Sequence, residues 1–285
     1  MIYLSGIMKV WLVLLLDFLT LSSVLGEWGP AAGITGVAAL YVWLGGYLGL
    51  YQEGAVRWDR LPVWERQRLE AAKSQLAQDV RQASGVKLAR LKLYLSPDDT
   101  LNATAYGAGC ISVTRGTLNS ADPLAPNGVL AHEISHTLHR DAEFSRALLV
   151  SITLLLAAIS IISFVIVLVV FLLFLVFTGF RSWLGVLAFR GTATAVGRFF
   201  RFIQWGIAAA YQALFGLVSR RREYRSDRYA AALGYGLPLA HFLSAADPGV
   251  TGRLTLSQVL YRSHPPVENR IARRGGLAAP RRVDW

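Results

Sequence analysis

Four apolar stretches constrain what this chain can become: Val10 to Gly26, Ala31 to Tyr51, Ala147 to Phe180 and, more diluted, Phe202 to Ser219. Crossing a bilayer as a helix takes about 20 residues, so the second and third qualify outright, the first is slightly short and the fourth is marginal. With 54% hydrophobic and 16% charged residues, the composition is too apolar for an ordinary soluble protein. The stretches are therefore read as membrane segments. Gly26 would suit the cut of a leader peptide, but the next apolar stretch starts at Ala31, which favours a retained transmembrane hairpin over residues 1–51.

The remaining pieces, 52–146 and 220–285, are together long enough for one compact domain. They flank 147–219, which holds the third and fourth membrane-associated helices. Charge is uneven along the chain: 52–146 has 12 basic and 11 acidic residues, whereas 220–285 has 12 and 5. Arg57, Arg60, Arg66 and Arg68 follow the second stretch and Arg220 to Arg222 follow the fourth, while the turn Glu27 to Pro30 has no basic residue. Under the positive-inside rule both soluble pieces face the cytoplasm. Arg181, Arg190, Arg198 and Arg201 conflict with that topology if both later stretches span. A net charge of +11 admits nucleic acid as a partner, but juxtamembrane Arg clusters read better as orientation signals or lipid contacts. No nucleic acid is expected. Asp17 lies inside the first stretch and is expected to snorkel or to pair with another helix. Cys110 stands alone and is expected to be a small buried strand residue.

The chemistry concentrates in Gly128 to His139, which reads as the start of a helix. His132 and His136, four residues apart, project from one helical face and can grip one metal ion. Glu133 follows the first histidine and can reach a water in an open coordination position. This H-E-x-x-H arrangement suits Zn²⁺, which takes imidazole nitrogen and keeps a fourth position open in catalytic sites. A third ligand is needed, and Arg222 to Ala231 forms a second plausible helix. Glu223 supplies a carboxylate there, and Asp227, one turn on, can accept the free N–H of a ligating imidazole. The competing reading is a solvated face on which both acids pair with Arg222, Arg225 and Arg228. His139, one turn past His136, lacks the spacing and the glycine of the longer metzincin pattern.

The sequence resembles the membrane-bound zinc metallopeptidases of the HtpX type, related to the CAAX prenyl endopeptidases. The resemblance rests on His132 to His136, on Glu223 with Asp227, on Asn102 to Gly107 with Ile111 to Gly116, and on Ser263 to Arg273, in that family's order among the apolar stretches. It implies an α+β, mainly helical fold, a gluzincin-like zinc protease domain combined with transmembrane helices. One zinc ion per subunit and endopeptidase activity on membrane or misfolded proteins, in protein quality control, are implied with it. It further implies that Cys110, Ile111, Ser112, Val113 and Thr114 form the edge strand that lines the cleft and pairs with extended substrate. His264 corresponds to the family's His-Pro histidine, a donor to the tetrahedral oxyanion; a turn residue fixed by Pro265 and Pro266 is the alternative.

The expected protein is a multi-pass zinc metalloendopeptidase of a bacterial inner membrane, its protease domain facing the cytoplasm. Its partners are protein or peptide substrates and membrane lipid. Its metal is held by His132, His136 and Glu223, with Glu133 as base. The alternative is a non-catalytic membrane scaffold that binds zinc or a partner, against which the presence of Glu133 argues.

Overall fold

The computed structural model describes residues 2–88, 91–178, 183–246 and Arg270. The architecture is α+β and mainly helical. Two helices, α1 (Ile2–Leu25) and α2 (Trp28–Gln52), form the N-terminal hairpin. The short strand β1 (Val56–Arg57) and α3 (Val63–Ser84) follow. Leu69, Ala72, Leu76 and Val80 recur at helical spacing on α3, and all four are buried. Gly85 stops that helix in the left-handed region, with φ of 69°, where glycine has no Cβ to clash.

Three further strands complete the sheet: β2 (Lys92–Ser96), β3 (Ala103–Gly107) and β4 (Cys110–Thr114). The order is β1-β2-β4-β3, with β2 parallel to β4 and the other two pairs antiparallel. The expected edge strand, Cys110 to Thr114, is thus an interior strand. All five of its residues are buried, and the edges are β1 and β3, the first four residues of β3 being half-buried. The reason is hydrogen bonding on both sides of β4, which leaves it no open flank for another chain. Cys110 is a buried strand residue, as expected.

After a single turn, α4 (Arg115–Leu118), come α5 (Ala125–Leu138), α6 (Asp141–Thr178), α7 (Trp183–Ala232) and α8 (Gly236–Ala246). Leu93, Leu95, Ile111 and Val113 from the sheet pack with Val129, Leu130 and Ile134 of α5 and with the α3 face in one core. Among the described residues, four helices, α1, α2, α6 and α7, are long and apolar enough to cross a membrane. The fourth apolar stretch is not a separate marginal segment. It is the middle of α7, which also contains Arg190, Arg198, Arg201 and the Glu223–Asp227 pair. At 1.5 Å per residue, α6 and α7 are about 57 and about 75 Å long. They form a hairpin that leaves the soluble domain and returns to it.

Polar links tie these helices together. Ser151 Oγ donates to Asp17 Oδ2 at 2.8 Å, so Asp17 is a helix-paired acid. Gln204 Nε2 donates to Ser160 Oγ at 2.7 Å across α6 and α7. Glycines let α2 touch the edge strand, because a Cβ on Gly46 would lie 2.2 Å from the Tyr106 carbonyl oxygen. Arg146 on α6 closes the joint, donating through Nε to the Val42 carbonyl (2.9 Å) and through Nη1 to the Tyr106 carbonyl (3.0 Å).

This joint predicts that Gly46→Ala lowers the unfolding temperature in detergent and displaces β3, since overpacking typically costs about 1–3 kcal/mol. Gly36→Ala on the same helix meets no atom within 4 Å and should not lower the unfolding temperature, since alanine is the better helix former. Equal behaviour of the two variants would contradict the contact.

Candidate metal centre

Helix α5 is almost wholly buried and enters through Pro126 in its first turn. A Cβ on Gly128 would lie 2.7 Å from the Leu239 backbone nitrogen, so this glycine lets α5 and α8 approach. Two turns further along, α5 meets α7, where Ser226 Oγ contacts Ser135 Oγ at 3.1 Å, both residues fully buried. These small side chains bring the α5 histidines up to Glu223.

His132 Nε2 and His136 Nε2 are 3.1 Å apart. Glu223 completes a triangle, its Oε2 3.4 Å from His132 Nε2 and its Oε1 3.5 Å from His136 Nε2. Four ligands around an ion with bonds of about 2.0–2.1 Å lie about 3.3–3.4 Å from one another in a tetrahedron. The 3.1 Å between the two imidazole nitrogens is close to that, and each imidazole has one Glu223 oxygen at 3.4 or 3.5 Å, so the donor set fits a divalent metal by its chemistry and its proximity. Among the described residues these three form one group able to hold an ion.

Both imidazoles are gripped from behind. Asp227 Oδ1 lies 3.0 Å from His132 Nδ1, and Asp141 Oδ2 lies 2.8 Å from His136 Nδ1. A carboxylate on Nδ1–H leaves the Nε2 lone pair directed at the metal position. Arg270 in turn donates through Nε and Nη2 to the two oxygens of Asp227 at 2.9 and 2.7 Å, and its Nη2 is 3.3 Å from Glu223 Oε2. The Asp227 contact is the one its spacing from Glu223 predicts; no local spacing points to Asp141 or Arg270. Asp141 escapes a helical projection because α5 ends at Leu138 and Arg140 turns left-handed, with φ of 58°, which swings the next residue back toward His136. Arg270 sits within the stretch that carries the family resemblance, but a partner 43 residues away has no local spacing signal.

Glu133 is buried beside this group, and its Oε2 accepts the backbone N–H of Ala105 at 2.8 Å. The edge strand therefore holds the carboxylate. A cleft of about 510 Å³ opens here, lined among others by Ala103 and Ala105 of β3 and by apolar Val129, Leu239 and Phe242. Cys110 to Thr114 do not line it. His139 instead sets its Nδ1 2.8 Å from the Ser135 carbonyl oxygen, apart from the triangle. His264 lies outside the described residues.

Burial works against a charge on His136, yet the Asp141 and Glu223 carboxylates outweigh it and push its pKa from 6.5 up to about 10. A raised folded-state value means that the proton stabilises the metal-free fold fully below about 6.5. That contribution is lost as pH rises through about 10. Metal must displace this proton, so affinity should rise about tenfold per pH unit over that interval, one proton being released on binding. Titrating metal into the protein at several pH values checks this; a flat profile would contradict it. His136→Ala and Glu223→Ala should bind metal only weakly, and Asp227→Ala should lose about 10- to 100-fold in affinity, as read by competition with a chelator.

"Protease HtpX" of Aeromonas salmonicida (strain A449) is 27% identical over 294 residues, covering 95% of this chain and 97% of that protein. "Protease HtpX" of Shewanella baltica (strain OS195) is 28% identical over 219 residues, covering 69% of this chain and 70% of that one. The crystal structure of S. mikatae Ste24p aligns with a TM-score of 0.40 and 20% identity over 93% of this chain, which spans 65% of the Ste24p chain. The sequence model of peptidase family M48 matches residues 64–275, a span that takes in α5 with its two histidines, α7 with Glu223, and Arg270. With three quarters of its length inside that match, the chain belongs to peptidase family M48, as an HtpX-like metallopeptidase of the multi-pass membrane kind.

Proposed function

We propose that this protein is a zinc-dependent endopeptidase of a bacterial inner membrane, cleaving membrane or misfolded proteins at the cytoplasmic face in protein quality control. In this reading His132, His136 and Glu223 hold one zinc ion, and Asp227 orients His132. The observation that carries the reading is Glu133, set next to the triangle and tied to the edge strand through Ala105. A base, a metal position and an open strand edge thus share one cleft.

When bound, zinc supplies Lewis acidity, making water easier to deprotonate and polarising the scissile carbonyl. Glu133 takes the proton from the attacking water and returns it to the departing amine nitrogen. Helical phase sets Glu133 about 100° around α5 from His132, and the Ala105 N–H holds its Oε2. Extended substrate pairs with β3, not with the interior strand Cys110 to Thr114, by main-chain hydrogen bonds. His264 donates to the oxyanion. Arg57, Arg60, Arg66 and Arg68 after α2 and Arg220 to Arg222 near the end of α7 favour the cytoplasmic orientation, by the positive-inside rule.

Glu133→Gln is close to isosteric, and its amide oxygen can still accept from Ala105. This variant should keep zinc and membrane insertion while losing about 10²- to 10⁴-fold in peptide cleavage, the usual contribution of acid–base catalysis. Casein hydrolysis with zinc, with chelator and with Glu133→Gln provides the measurement. Wild-type turnover by the zinc-loaded variant would remove the mechanism. Loss of zinc instead would reassign Glu133 to the coordination shell.

A further inference from the structure

The two histidines are oriented from opposite arms of the membrane hairpin. His132 takes its carboxylate, Asp227, from α7, the helix that also carries Glu223. His136 takes its carboxylate, Asp141, from the first residue of α6. Asp141 is 8% exposed, and a carboxylate so buried needs partners beyond one imidazole. Helix α7 supplies them. Arg225 Nη2 donates to Asp141 Oδ2, the same oxygen that faces His136, and Arg222 Nε lies 3.7 Å from Oδ1. Arg222 is itself fixed on α6, donating through Nη1 to Ser145 Oγ at 2.9 Å with its guanidinium over the Phe144 ring.

An acid in the first turn of a helix also complements the helix dipole, which would be reason enough for Asp141 if it faced solvent. Instead it faces an imidazole, and two arginines flanking Glu223 on α7 converge on it. We propose that Asp141 is a positioning residue for His136, and that Arg225 and Arg222 hold it in place, so that the metal site is braced across both arms of the α6–α7 hairpin. This rests on the reading of His136 as a metal ligand.

The test measures zinc dissociation constants by competition with a chromogenic chelator. It uses the full chain in detergent as wild type, Asp141→Asn, Arg225→Gln, the double variant and His136→Ala, with the unfolding temperature of each metal-free protein alongside. Asp141→Asn should weaken zinc binding about 10- to 100-fold. Arg225→Gln should weaken it by a smaller factor, and the double variant should bind no more weakly than Asp141→Asn alone, because Arg225 acts through Asp141. An unchanged zinc constant in Asp141→Asn, with only the unfolding temperature lowered, would make the cluster a structural ion pair and overturn the inference. Additive losses in the double variant would also overturn it. Should Asp141→Asn fail to fold, Arg225→Gln decides, since its side chain is 30% exposed; an unchanged constant there overturns the brace. His136→Ala separates the two readings: wild-type zinc binding by that variant would remove the metal assignment itself.

Discussion

The close approach of α5 to α7 is the contact on which the rest of the site depends. Ser135 and Ser226 meet at 3.1 Å with both residues fully buried, and Ala131 and Ala230 are fully buried on the same two helices. Larger side chains would hold the helices apart, and the helix spacing is set by the residues at the contact. Glu223 reaches the two histidines only because that spacing is short. Since α7 arrives as the returning arm of a membrane hairpin, the hairpin belongs to the site as much as to the bilayer.

Closeness has an electrostatic cost. Glu133, Glu223, Asp227 and Asp141 are all buried, and an uncompensated buried charge costs several kcal/mol. Arg270 answers Asp227 and Glu223, while Arg222 and Arg225 answer Asp141. Glu133 is answered by a neutral backbone N–H, from Ala105. A divalent cation held by His132, His136 and Glu223 would add positive charge among these carboxylates.

Much of this was legible in the sequence because it depends on spacing within single helices. Two histidines four apart, and an acid pair four apart, declare their shared faces without knowledge of the fold. The apolar stretches likewise marked the four long helices, though local dilution by Gln and Gly hid the continuity of α7. Strand order was not legible, since β4 pairs with β2 by a parallel crossover and with β3 through a turn, and short strands carry no mark of their neighbours. Asp141 was hidden by the left-handed residue Arg140, which breaks the helical count. Arg270 was hidden by distance along the chain.

The central claim is that two imidazoles and one carboxylate from two helices bind one zinc ion. X-ray absorption at the zinc edge of the purified protein, loaded with one equivalent, tests it most directly. The account predicts scattering from two imidazoles with Zn–N of about 2.0–2.1 Å, oxygen in the remaining positions and no sulfur. A zinc–sulfur distance of about 2.3 Å, which would place Cys110 in the shell, or a spectrum without imidazole scattering, would contradict it.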